Sequence, residues 1–69
     1  MIKFKLEDSE YIELIKLLKV TSICGSGGEA KHMVAEGEVK LNGELESRKR
    51  AKIRKGDKVE IFDEIIEVE

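Results

Sequence analysis

Apolar and polar residues alternate from Met1 to Leu6, with Ile2, Phe4 and Leu6 on one face and Lys3 and Lys5 on the other. This is the two-residue period of a half-buried strand. The period then lengthens. Asp8-Ser9-Glu10 offers a helix start with acid in its first turn. Tyr11, Ile12, Leu14, Ile15 and Leu18 follow at helical spacing, widened by Leu17, so a first helix with this stripe in the core is predicted to end near Lys19. Val20 to Gly25 reads as a connector. A second helix is predicted over 27–36, with Ala30, Met33 and Val34 facing the first and Gly37 in the left-handed closing position. From Glu38 the period returns to two. Val39 and Leu41 flank Lys40, Asn42-Gly43 is the signal of a type I′ hairpin, and Leu45 lies on the returning strand. Lys55-Gly56-Asp57 is a turn, Val59 and Ile61 alternate with Phe62 on the other face, Asp63-Glu64 turns again, and Ile66 and Val68 end the pattern. The order β-α-α-β-β-β-β predicts an α+β fold, a helix pair beside a small curled antiparallel sheet.

The stretch Gly25-Ser26-Gly27-Gly28-Glu29-Ala30-Lys31 stands out as a helix start with open amides. Ser26 suits the N-cap and Glu29 lies three residues on, the spacing of a capping box. Gly27 and Gly28 carry no side chains, so a large anion can approach backbone N–H groups that have no helical partner. Lys31 adds a full charge one turn further in. The alternative is an ordinary cap after a loop, and the seven residues alone leave both open.

Charge sharpens the picture. The chain has 69 residues and a net charge of −2, yet residues 47–58 hold Arg48, Lys49, Arg50, Lys52, Arg54, Lys55 and Lys58 against Asp57 alone. If this segment is extended, Ala51 and Ile53 share one face while Arg48, Arg50, Lys52 and Arg54 share the other, about 7 Å apart. Such a row tracks a phosphate backbone; it also serves as a charge-protected edge strand. The length fits one domain over 1–69, with little room for an enclosed catalytic cleft. No apolar run is long enough to span a bilayer and no signal peptide is read, so no membrane partner is expected. Cys24 is the lone cysteine, read as a plain loop residue in a reducing cytoplasm. His32, the one histidine, reads as a solvated helix residue with no second ligand at metal spacing. The residues show no P-loop ending, no Ser–His–Asp or Cys–His set and no metal cluster, so no catalytic residue, metal or cofactor is expected.

Ser26-Gly27-Gly28-Glu29-Ala30-Lys31, Glu36-Gly37-Glu38-Val39, Asn42-Gly43-Glu44, Glu46, Arg48-Lys49-Arg50, Lys52 and Gly56-Asp57 together resemble the alpha-L RNA-binding domain named for ribosomal small-subunit protein S-four. The likeness runs from about Tyr11 to Ile61 and is nearest to the small stand-alone bacterial members of the YbcJ type. It implies a two-helix alpha-L unit packed on a β-ribbon that binds structured RNA, often ribosomal or transfer RNA. By position it implies phosphate contacts at Ser26, Gly27, Gly28 and Lys31, extended by Lys40, Arg48, Lys49, Arg50 and Lys52. The family often has glycine after its first helix, where this chain places Ser22, and a side chain tolerates a left-handed turn less well.

The function expected from these observations is non-catalytic RNA binding in the cytoplasm, with the RNA read mainly by shape and backbone. Phe4 and Tyr11 fall in apolar patterns, so no base-stacking platform is expected. The alternative is a protein-interaction module whose basic patch meets an acidic partner, such as a ribosome-associated protein.

Overall fold

A computed structural model describes residues 1–69. Its elements are β1 (Ile2–Phe4), β2 (Ile12–Glu13), α1 (Leu14–Val20), α2 (Gly27–Ala35), β3 (Val39–Leu41), β4 (Glu44–Leu45), β5 (Lys52–Ile53), β6 (Lys58–Ile61) and β7 (Glu64–Val68). The main sheet runs β1-β7-β6-β3-β4, and β2 pairs with β5 in a separate ribbon. The α+β class holds. The sheet is antiparallel throughout except that β1 lies parallel to β7, with Ile2 opposite Ile66, which makes it mixed.

The core forms where the helix pair meets one sheet face. Leu14, Leu17 and Leu18 of α1, Ala30 and Val34 of α2, and Val39, Val59, Ile61, Ile66 and Val68 of the sheet are buried together with Ala51 and Ile53. Full burial of each large aliphatic side chain contributes about 1.5–3 kcal/mol. The alternation read from the strands therefore marks the inward face correctly, while Lys40 and Glu60 sit opposite each other on the outer one.

Helix α1 is shorter than its apolar period predicts. Ile12 and Glu13 leave the helix to pair with Ile53 and Lys52, and the Leu14 and Ile15 amides donate to the carbonyls of Ala51 (2.9 Å) and Lys49 (3.2 Å). Those carbonyls cap the helix from outside and start it at Leu14. Tyr11 consequently lies outside the helix, 39% exposed, rather than in the core stripe.

The α1–α2 connection resolves the missing glycine. Ser22 itself takes the left-handed conformation, φ 63°. Its amide donates to the Lys19 carbonyl, and the Cys24 amide reaches back to Leu18. Cys24 is no plain loop cysteine: it is 1% exposed and part of the core. Helix α2 ends as its sequence predicts, with Gly37 at φ 75° and bonds from Gly37 to Val34 and from Glu38 to Met33, the paired bonds of a Schellman motif. The hairpin turn has positive φ at both Asn42 and Gly43. The Asn42 side chain also accepts from the Lys58 amide (2.8 Å) and donates to Asp57 (3.1 Å). It thereby fastens the hairpin to the Lys55–Asp57 turn. The last turn lies one residue earlier than read, at Phe62-Asp63, because Ile61 pairs with Glu64. No helix is long and apolar enough to cross a membrane.

Candidate functional site

Two features make up the candidate site, and α1 touches both: it packs on α2, and its N-terminus receives the carbonyls of Lys49 and Ala51.

The first feature is the start of α2. Ser26 is extended at φ −156°, and its hydroxyl accepts from the Glu29 amide at 3.2 Å. Its carbonyl takes the first helical bond, from Ala30. The capping box is only half formed: no bond returns from Glu29 to the Ser26 amide, and the Glu29 carboxylate lies instead toward Gly25. No acceptor within the protein takes the Gly27 or Gly28 amide. A methyl group at Gly27 would meet nothing within 4 Å, and one at Gly28 would meet only the Ser26 hydroxyl, at 3.8 Å. Neither residue has a positive φ, unlike Gly37, Gly43 and Gly56. The fold therefore does not require glycine at 27 or 28, although glycine weakens a helix. Lys31 and His32 are exposed on the first turns beyond. His32 faces Glu36 at 3.8 Å across open surface.

The second feature is the basic segment, and its shape differs from the single extended row. Lys49-Arg50 forms a turn closed by the Ala51 amide on the Arg48 carbonyl (3.2 Å), and only Lys52–Ile53 is strand. Ala51 and Ile53 still point inward. Arg48, Arg50, Lys52 and Arg54 still converge, around an open depression of about 600 Å³. Arg54 belongs with this set on geometry. Lys49 gives its carbonyl to α1. Lys40 lies outside the depression, opposite Glu60 and Leu45 on the outer sheet face.

The cations differ in how they are held. Arg48 donates to the nearly buried Glu46 through Nε (3.0 Å), Nη2 (3.1 Å) and its backbone amide (3.0 Å). Arg50 donates from Nε to Glu13 at 3.0 Å. Lys52 Nζ stands 5.0 Å from the Tyr11 ring centre, and the Arg54 guanidinium 5.8 Å, both at cation–π range. Lys52 and Arg54 thus have no carboxylate partner and keep their charge for an incoming anion.

The hydrogen bonds from Arg48 hold the Glu46 carboxyl below its ordinary value of 4.5, against the opposing effect of burial. A carboxyl with a depressed folded-state pKa stabilises the fold above its unfolded value, and that contribution is lost as pH falls through the folded value. Glu46→Gln is therefore expected to cost about 1 kcal/mol at pH 7 and nothing measurable once Glu46 is protonated. Urea unfolding of both proteins at pH 7 and at successively lower pH checks this; a difference that does not shrink as pH falls through the range where carboxylates protonate rejects the role given to Glu46.

A family model described as the S4 domain matches residues 4–69. YbcJ of Escherichia coli (strain K12), named as a candidate RNA-binding protein, is 40% identical over 68 residues, covering 99% of this chain and 97% of its own. The solution structure of E. coli YbcJ, described as revealing an αL motif involved in RNA binding, superposes with a TM-score of 0.77 over 99% of this chain and 86% of that one. RlbA of Bacillus subtilis (strain 168), named as a candidate ribosome maturation protein, is 43% identical over 54 residues, 78% of this chain and 76% of its own. A 30S ribosomal protein from Thermoplasma acidophilum shares the fold at a TM-score of 0.71 with 22% identity, over 84% of this chain and 31% of that one.

Proposed function

Because this chain belongs to the S4 domain family, we propose that it is a single RNA-binding domain over residues 1–69 that holds structured RNA without catalysing a reaction. The observation that carries the reading is the convergence of Arg48, Arg50, Lys52 and Arg54 on one open depression in a chain whose net charge is −2. Such local concentration of cations suits a polyanion rather than a small acid. Phosphates spaced along the backbone meet the depression and Lys49, and one phosphate docks on the free amides of Gly27 and Gly28 beside Ser26 and Lys31. Lys40 extends the contact from the outer sheet face. We place this role in the cytoplasm, on ribosomal or transfer RNA; the naming of YbcJ for RNA binding and of RlbA for ribosome maturation supports RNA as the ligand and a link to the ribosome.

Two measurements test this. If roughly five phosphates are neutralised, log K for a structured RNA falls with log salt at a slope of about −3.5 to −4.5; affinity indifferent to salt sinks the proposal. Gly27→Ala separates function from fold. It is expected to stabilise the protein by about 0.4–1 kcal/mol, since the added methyl meets open space. It is expected to weaken RNA binding by roughly tenfold, through loss of an amide–phosphate bond. Unchanged affinity in that variant removes the phosphate from the α2 start.

A second reading, a protein-interaction module whose basic patch meets an acidic partner such as a ribosome-associated protein, draws support from the carboxylates that Arg48 and Arg50 already hold within the chain. Competition by an RNA duplex against any such protein partner distinguishes the two.

A further inference from the structure

Beside the basic depression lies a second concavity that phosphate binding does not use. It has a volume of about 330 Å³ and is lined by Phe4, Leu6, Ser9, Tyr11, Ile12 and Glu13, with Lys16 at its rim, the low end of the range of ligand pockets. Its walls are about half apolar and include two aromatic rings. Two of its residues also touch the neighbouring basic segment: Tyr11 carries Lys52 and Arg54 on its ring, and Glu13 Oε2 takes the Arg50 guanidinium. A chain of phosphates laid on Arg50, Lys52 and Arg54 therefore passes the mouth of the cleft.

Resting on the RNA-binding reading, we infer that this cleft receives one unpaired nucleobase from the bound RNA. Its chemistry fits a base better than a phosphate. Phe4 and Tyr11 line it with aromatic rings, and Leu6 and Ile12 with aliphatic side chains. Glu13 is an acceptor that repels phosphate and welcomes an exocyclic amine, and its Oε1 takes no bond within the protein. A base inside a continuous duplex cannot reach the cleft, whereas a bulged or looped nucleotide has already given up its stacking and pairing. The cleft thereby gives the domain a preference for helices interrupted by an unpaired nucleotide, which backbone contacts alone do not supply.

The test compares two RNA duplexes of the same sequence, one fully paired and one carrying a single bulged adenosine, whose amine suits Glu13. Full-length protein is expected to bind the bulged duplex more tightly by between about five- and a hundredfold, the range of one base–aromatic stack. With 2-aminopurine at the bulge, its fluorescence is expected to be quenched on binding. Ser9 is exposed at the cleft and makes no contact with the basic depression. Ser9→Leu, which crowds the cleft without adding a ring on which a base can stack, is expected to remove most of the preference while leaving affinity for the paired duplex and the melting temperature unchanged. Equal affinity of the wild-type protein for the two duplexes overturns the inference but leaves RNA binding intact, as does a preference that survives undiminished in Ser9→Leu. Failure to bind either duplex removes the RNA-binding reading and the inference with it.

Discussion

Ile53→Ala is expected to remove most of the stability of this protein. Ile53 is fully buried, pairs with Ile12 across the β2–β5 ribbon, and sits between the two cations that lean on Tyr11. Truncation of a buried isoleucine costs about 2–5 kcal/mol, the spread reflecting how far the site collapses around the cavity. A chain of 69 residues has only about 3–10 kcal/mol in total. The melting temperature should fall by roughly 8–40 °C, at about 4–8 °C per kcal/mol, while Ile53→Val should cost only about 0.5–1.5 kcal/mol. Thermal and urea melts followed by circular dichroism check both. A loss below 1 kcal/mol for the alanine variant, well under the range for a filled core site, would mean that the ribbon is peripheral to the core.

Charge reversal at Lys52 and Arg54 together should have the largest effect on RNA binding. These two cations line the depression without a carboxylate partner. Each charge-assisted bond to a phosphate contributes about 1.5–3 kcal/mol, so Lys52→Glu with Arg54→Glu should weaken binding on the order of a hundredfold or more and flatten the salt slope by about 2. Stability should fall by about 1–2 kcal/mol, because two exposed cation–π contacts of about 0.5–1 kcal/mol each are lost, with a further small cost from the like charge that Lys52→Glu sets opposite Glu13 across the ribbon. Arg48 and Arg50 are poorer probes. Reversing them sets like charges against Glu46 and Glu13 and mixes a folding defect with a binding one. Titration of a fluorescent RNA at several salt concentrations, with a melt of the same sample, gives the result. Retained affinity in a folded double variant would remove the depression from the interface.

The parts of the molecule legible in its sequence are those whose causes are local. The α2 start, the left-handed Gly37 and the Asn42-Gly43 turn each follow from a few adjacent residues, and the inward faces of the strands follow from alternation. The parts that were not legible depend on distant partners. Nothing near Ile12 announces that Ile53 will pair with it and shorten the helix, and with that pairing Tyr11 moves from an expected core position to the rim of a cleft. The convergence of four cations survived a wrong local conformation, because Ala51 and Ile53 are buried and drive their neighbours outward in a turn as in a strand. The unequal state of those cations was invisible for the same reason: Arg50 finds its carboxylate 37 positions away in the chain.

Cys24 gives the fold a clock. Its thiol lies in the core at 1% exposure, and burial, with a smaller push from the Glu29 carboxylate, raises its pKa above the ordinary 9.0. Reagent reaches it only when the structure opens around the α1–α2 connection. The rate at which a small alkylating agent labels the native protein thus reports how often that connection opens, with no probe added and no surface residue disturbed. RNA seated on the start of α2 must slow that labelling if it holds the connection closed.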